Sequence, residues 1–374
     1  MQKQMIYHHP FPIPMEGTSG SKVRVAQMVT AFRNIGYEVE LVAGYAKERK
    51  EIFKRIFEET KGGRVFDFAY SESSTAPSLI SKRNILNPLL DYHFFSWCRN
   101  HSIPIGLYFR DIHWKFGMNK FTPRTKHAIA VLLYWYDWLV YLMTLDFIFL
   151  QSLQMKYALL TKWPENRLAT LPPGCHIIKN NGHHNNRKES LQLKLFYVGG
   201  VTPPLYDLKT MINAVSREDD VVLTICCRRD EWKDVQSYYK DIDFTKTKIV
   251  HVSGKGLNLY YQEADVFLLM WRQNPYLDFV LPVKLFESIG HGVPILTTKG
   301  TESGRFVEKE KIGWVISLDK INEFLSFLKT HPDEITAKRN RVDDVRETHT
   351  WEVRARTVVE TLSRIKDYNS IKNI

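Results

Sequence analysis

The chain has 374 residues, 44% hydrophobic and 25% charged, with a formal charge of +11. That length exceeds one ordinary core and predicts two domains, and the balance excludes a disordered or disulfide-stapled chain. Four cysteines (Cys98, Cys175, Cys226, Cys227) without C-x-x-C spacing exclude a zinc ribbon and fit a reducing cytoplasm.

The opening "MQKQMIYHHPFPIP" holds no apolar run long enough for a secretion signal, so a cytoplasmic location is expected. Charge is uneven. Residues 1–172 carry 22 Lys+Arg against 14 Asp+Glu, and the remainder carries 30 against 27. A basic first half favours an acidic partner such as an anionic membrane surface or a phosphorylated substrate. No nucleic-acid module is recognised, so nucleic acid is not expected as a partner.

In chain order, apolar runs read as strands at "QMIYHH" (4–9), "YEVELVAG" (37–44), "RVFDFAYS" (64–71), "IPIGLYFRD" (103–111), "DFIFLQS" (146–152) and "LATLPPG" (168–174). Between the second and third, "YAKERKEIFKRIFEETKGG" (45–63) predicts an amphipathic helix with Ile52, Phe53, Ile56 and Phe57 on one side. Its dense Lys and Arg allow it to lie on an anionic bilayer or to pack on the core. The stretch 128–150 approaches the length of a membrane span. Asp137 and Asp146 inside it are costly in hydrocarbon, so it is read as a helix ending near Thr144 followed by a strand. A helix this apolar should be buried or touch lipid.

The polar, amide-rich stretch 172–192 predicts the linker, with "HHNN" inside it read as a surface loop. Strands resume at "LKLFYVGG" (193–200), "VVLTICC" (221–227), "TKIVHVSG" (247–254), "DVFLLMW" (265–271), "VPILTT" (293–298) and "GWVIS" (313–317), with helices between. Continuous apolar strands alternating with helices predict parallel sheets covered on both faces. The expected fold class is α/β, with two doubly wound, Rossmann-like domains whose ligands lie at the C-terminal strand ends.

Four stretches carry candidate chemistry. "GTSGSKVRVAQMVTAFRNIGYEVELVAG" (17–44) is a Gly/Ser loop entering a helix, whose N–H groups suit an anion. It lacks G-x-G-x-x-G spacing, and Arg24 one turn in adds charge or faces solvent. "LFYVGG" ends a strand on Gly199-Gly200. In "LPVKLFESIGHGVPILTT" (281–298), Lys284, Glu287, Ser288 and His291 form one polar stripe of a short helix that Gly292 ends. "YFRDIHWKF" (108–116) presents Arg110, Asp111, His113 and Trp114 where a strand meets its loop. There an Asp–His pair can position a hydroxyl and Trp114 can stack on a sugar. A salt-bridged Arg110–Asp111 loop with a core Trp, and a plain Lys284–Glu287 ion pair, are the structural alternatives. The Asp241/Asp243 pair in "KDIDF" is read as chance, and no metal site is expected.

With the terminal "TWEVRARTVVETL" (350–362), these stretches resemble glycosyltransferases of the GT-B fold, most similar to the family-4 type of bacterial cell-surface polysaccharide synthesis. The resemblance implies an N-terminal acceptor-side domain (1–172), a C-terminal nucleotide-sugar domain (173–350) facing it across a cleft, and a terminal helix (351–374) crossing back. It implies a nucleotide-diphosphate sugar as co-substrate, with neither metal nor further cofactor. It further implies donor contacts from Gly17, Ser19, Gly20, Gly200, Phe279, Val280, Lys284 and Glu287, with Glu287 on the ribose and Lys284 on the leaving diphosphate. Catalytic candidates are Asp111, His113 and Lys284.

Two departures stand out. The cation that similar enzymes carry shortly after the glycine pair is missing, leaving Arg228 or Arg229 as substitutes. The first of two glutamates is replaced by Phe279, beside Asp278. The activity implied is retaining transfer of a sugar to a hydroxyl of a glycan or lipid-linked acceptor. The protein would be cytoplasmic, or peripheral on the membrane's inner face. The competing readings are a nucleotide-sugar epimerase on the same fold and a non-catalytic, degenerate transferase subunit.

Overall fold

The structure is a computed structural model that describes residues 3–13, 20–116, 124–178 and 192–372. Backbone contacts divide the chain into two compact units. One is Met1–Pro172 with Trp351–Ile374, and the other is Pro173–Thr350.

The first unit is a parallel sheet of β1 (Gln4–His9), β2 (Glu38–Ala43), β3 (Phe68–Glu72), β4 (Ile105–Phe109), β5 (Phe147–Leu150) and β6 (Leu168–Thr170). Their order is β2-β1-β3-β4-β5-β6. The chain therefore reverses direction between β1 and β3, the place where such sheets open a crevice for ligands. β3, β4 and β5 are buried at every position, which is why their sequences run apolar without alternation. The terminal helix Trp351–Lys372 packs on this sheet. A side chain at Gly106 would meet Leu362, and the Asn34 amide donates to Glu352 at 2.7 Å.

The second unit repeats the plan with β7 (Leu193–Val198), β8 (Val221–Cys226), β9 (Thr247–Val250), β10 (Val266–Leu269), β11 (Ile295–Thr298) and β12 (Gly313–Ile316). Its order is β12-β11-β10-β7-β8-β9, so the reversal falls between β7 and β10. The stretch 128–150 splits as the two aspartates require, into helix Arg124–Thr144 and β5.

The helix Ala46–Lys61 does not lie on a surface by its apolar side. Phe53 and Ile56 are buried, Phe53 stacks on Phe94 at 4.0 Å, and the Phe57 ring lies 4.6 Å from Trp97. Core packing takes this face, because the helix Leu90–Asn100 offers it a matching aromatic row.

Two positions give direct stability tests. Gly290 ends the helix Val283–Gly290 so close to the neighbouring chain that an added Cβ would sit 2.2 Å from the His176 carbonyl oxygen. Gly290→Ala should cost about 2–3 kcal/mol in a urea melt, the scale of forced overpacking. Asp137, buried in the first unit, accepts from the Ser78 N–H (2.8 Å) and pairs with its hydroxyl (2.5 Å). Burial pushes its carboxyl up to about 7. A raised folded value favours the neutral acid. Relative to an ordinary aspartate, stability is full below the unfolded value near 4 and is lost as pH rises through about 7. Asp137→Asn should flatten that part of the stability–pH curve, read by thermal melts between pH 4 and 8.

Candidate active site

In the second unit the short helix Val283–Gly290 starts at the C-terminal edge of the sheet. Pro282 is its N-cap and takes the Leu285 N–H on its carbonyl at 3.1 Å, which leaves the N–H groups of Val283 and Lys284 without an acceptor in the helix. The polar stripe divides. Ser288 is fully buried and donates to the Val293 carbonyl at 2.8 Å, so it closes the turn instead of facing a ligand. Lys284, Glu287 and His291 remain together. Lys284 Nζ donates to Glu287 Oε2 at 2.6 Å, and the Tyr261 hydroxyl donates to the same oxygen at 3.3 Å. Glu287 Oε1 has no hydrogen bond among the described residues. Both partners of the pair are 23% exposed, so solvent reaches them.

His291 fixes the cluster. Burial lowers its pKa, so the ring is neutral at pH 7. Nδ1–H donates to the Glu287 carbonyl at 2.7 Å, which leaves Nε2 an acceptor toward the Asn258 side chain at 3.1 Å. Asn258 must then turn its NH2 toward the ring. The imidazole also stacks on Tyr261 at 4.3 Å. Tyr261 and Asn258 come from the helix Leu257–Glu263, which no sequence motif marks; only the β10 strand after it signals that this helix packs on the sheet.

The glycine pair after β7 is held from an unexpected side. Glu231 Oε1 accepts from the Val201 N–H and the Thr202 hydroxyl, both at 2.9 Å. A side chain at Gly200 would strike the Tyr206 ring at 2.6 Å. Arg228, the substitute phosphate clamp, is instead 65% exposed and paired with Glu231 at 2.9 Å. Phe279 is buried edge-on to Tyr276, so it fills space where the resemblance places a first glutamate. Val280 lies beside it, its carbonyl accepting from Ser303 at 3.4 Å. Asp243 accepts the Thr245 N–H in a turn.

In the first unit, Gly17 and Ser19 lie outside the described residues; Gly20 begins the helix Gly20–Asn34. Arg24 neither faces solvent nor adds loose charge. It is buried, 3.3 Å from Glu72, with its guanidinium 3.5 Å from the centre of the Tyr108 ring. Arg110 pairs with the same carboxylate at 2.7 Å rather than with Asp111. Asp111 Oδ1 accepts the N–H groups of Ile112 and His113, and its other oxygen lies 3.2 Å from His113 Nδ1. The two side chains are thus neighbours just after β4, but His113 Nδ1 makes no hydrogen bond among the described residues. Trp114 is not available for a sugar, being buried and stacked on Tyr134 at 4.8 Å. His8 and His9 end β1 buried. His8 is held by Ser71 (2.8 Å) and Asp91 (3.3 Å), and these three line, with Ser78 and Asp137, a cavity with room for about one water.

Two six-stranded parallel α/β units in this order define the fold of the GT-B glycosyltransferases. Residues 208–360 match a family described as Glycosyl transferase-like. Sucrose-phosphate synthase from Thermosynechococcus elongatus shares the fold at 12% identity and TM-score 0.62, covering 98% of this chain and 99% of that one. Anabaena HepE, solved in complex with UDP-glucose, matches at 9% identity and TM-score 0.62, covering 96% and 99%. WaaG, a glycosyltransferase involved in lipopolysaccharide biosynthesis, matches at 13% and TM-score 0.56, also covering 96% and 99%. No curated protein sequence matches the chain.

Proposed function

We propose that the protein transfers a sugar from a nucleoside-diphosphate donor, held by the second unit, to a hydroxyl of a glycan or lipid-linked acceptor in cell-surface polysaccharide synthesis. The observation that carries this is the Lys284–Glu287–Tyr261–His291 cluster at the C-terminal edge of the second sheet. The Glu287 Oε1 atom, without a partner among the described residues, suits the hydroxyls of a ribose. The Val283 and Lys284 N–H groups that open the helix and the Lys284 ammonium suit a diphosphate. HepE's UDP-glucose makes a uridine donor the first to try, and WaaG's part in lipopolysaccharide biosynthesis favours a surface glycan as acceptor.

In this reading the acceptor oxygen bonds to the anomeric carbon as the carbon–phosphate oxygen bond breaks. The leaving phosphate takes the acceptor proton with retention, and Lys284 meets the charge that develops. Neither a metal nor another cofactor enters the scheme. Asp111, oriented with His113, is the base if the reaction inverts. Arg228 would join the phosphates only by leaving Glu231. The setting is cytoplasmic, at the membrane's inner face. An assay of UDP release from UDP-sugars tests the reading: release should require added acceptor. Interconversion of the donor with no acceptor present would replace transfer by epimerisation.

A further inference from the structure

The helix Arg124–Thr144 is buried on one side only. Trp138, Val140 and Tyr141 are buried, with Trp138 and Tyr141 edge-on to Phe109. Its other side shows Ile129, Leu132, Trp135, Leu139, Leu142 and Met143 to solvent, with Leu132 at 69% and Leu139 at 52% exposed. The spacing of three and four residues makes one continuous stripe. A second apolar segment adjoins it, with Ile80, Ile85, Leu86 and Leu89 exposed, Leu86 at 80%. The two are tied together by Tyr136, whose hydroxyl donates to the Pro88 carbonyl, and by the Ser78–Asp137 bonds. An exposed apolar face of this extent marks a contact surface.

Its charge says what it contacts. Lys82, Arg83 and Lys126 are exposed within the two segments, and Arg99, also exposed, donates to the Met143 carbonyl at the helix end. The single acidic residue in 80–89 and 124–143 is Asp137, which is turned inward onto Ser78. A second copy of the same face would bring like charges together across a two-fold axis. A bilayer with anionic headgroups satisfies both components, accepting the apolar stripe at the headgroup–acyl boundary and pairing the flanking cations. Among the described residues no helix is long and apolar enough to cross a membrane, so contact is at the interface.

We infer that the first unit docks on anionic lipid bilayers through the outer face of helix Arg124–Thr144 and the segment 80–89. This surface, and not the amphipathic helix Ala46–Lys61, is the membrane contact. Docking needs no donor, so it stands or falls independently of sugar transfer.

Co-sedimentation with vesicles of phosphatidylglycerol and phosphatidylcholine, against phosphatidylcholine alone, tests it. The wild-type protein should partition onto the mixed vesicles. The exposed-face variant Leu132→Ser/Trp135→Ser/Leu139→Ser should lose at least tenfold in partitioning while keeping its circular dichroism melt. Lys82→Glu/Arg83→Glu, at sites that leave the helix untouched, should remove the preference for anionic vesicles. Wild-type protein staying in the supernatant, either variant binding like wild type, or a wild-type dimer that the triple variant dissolves would each overturn the inference.

Discussion

Replacing Glu287 by Ala is expected to weaken the affinity for a nucleoside diphosphate about a hundredfold. Hydrogen bonds to a charged group contribute about 1.5–3 kcal/mol each, and loss of a bidentate ribose contact therefore removes about 3 kcal/mol. Glu287→Gln keeps one acceptor oxygen and should lose about tenfold, because the charge-assisted part goes while the geometry stays. The fold should survive both changes. Glu287 is partly exposed and its ion pair with Lys284 spans one helical turn, an arrangement of small stabilising effect. Titration calorimetry with UDP reads the affinities, and a thermal melt confirms that the variants are folded. Affinity unchanged in Glu287→Ala would assign the residue to the ion pair with Lys284 alone.

The second large effect is structural. Glu72 is fully buried between two guanidinium groups, Arg24 at 3.3 Å and Arg110 at 2.7 Å, and accepts the Tyr70 hydroxyl at 3.0 Å. Glu72→Ala leaves two buried cations without the carboxylate they share and should cost about 3–5 kcal/mol in urea unfolding, as breaking a buried ion pair does. Burial alone would raise the Glu72 carboxyl, but the charges of Arg24 and Arg110 outweigh it and hold the group below the ordinary range. A depressed folded value means that this stabilisation is present above the unfolded value near 4 and is lost as pH falls through the folded one. The wild-type protein should accordingly lose stability in acid below about pH 4 more steeply than Glu72→Gln.

How much of this was legible in the sequence follows from what each feature depends on. The central strands were readable because β3, β4, β5, β10 and β11 are buried at every position and so appear as apolar runs, while the edge strands β2, β6, β9 and β12 are partly exposed and were readable by their place between helices. The helix end at His291 was readable because Gly292 takes a positive φ of 72° and Pro294 follows. The Lys284–Glu287 stripe was readable because it is local, set by helical spacing. The partners of that stripe were not. Tyr261 and Asn258 reach it from a helix more than twenty residues away, through packing that no local pattern encodes. The same holds for Arg24. Its position near a helix start suggested an exposed anion contact, yet its partner Glu72 comes from a strand end and its ring contact Tyr108 from another. Trp114 was misread for a related reason. A loop tryptophan beside Asp111 looks available for stacking until Tyr134, from the following helix, is found against it.

Arg228 shows why the cation after β8 was ambiguous. The sequence placed Glu231 three residues on, the spacing of a helical ion pair, and the fold uses that glutamate twice, to pair Arg228 and to hold the glycine loop. Phe279 was legible as a departure, and in the fold it is buried edge-on to Tyr276.

The most direct measurement is a crystal structure of the protein grown with UDP. Density for the ribose is expected with both hydroxyls on the Glu287 carboxylate and the diphosphate at the start of helix Val283–Gly290. A nucleotide seated elsewhere on the chain, or an empty second unit at millimolar UDP, would contradict the account.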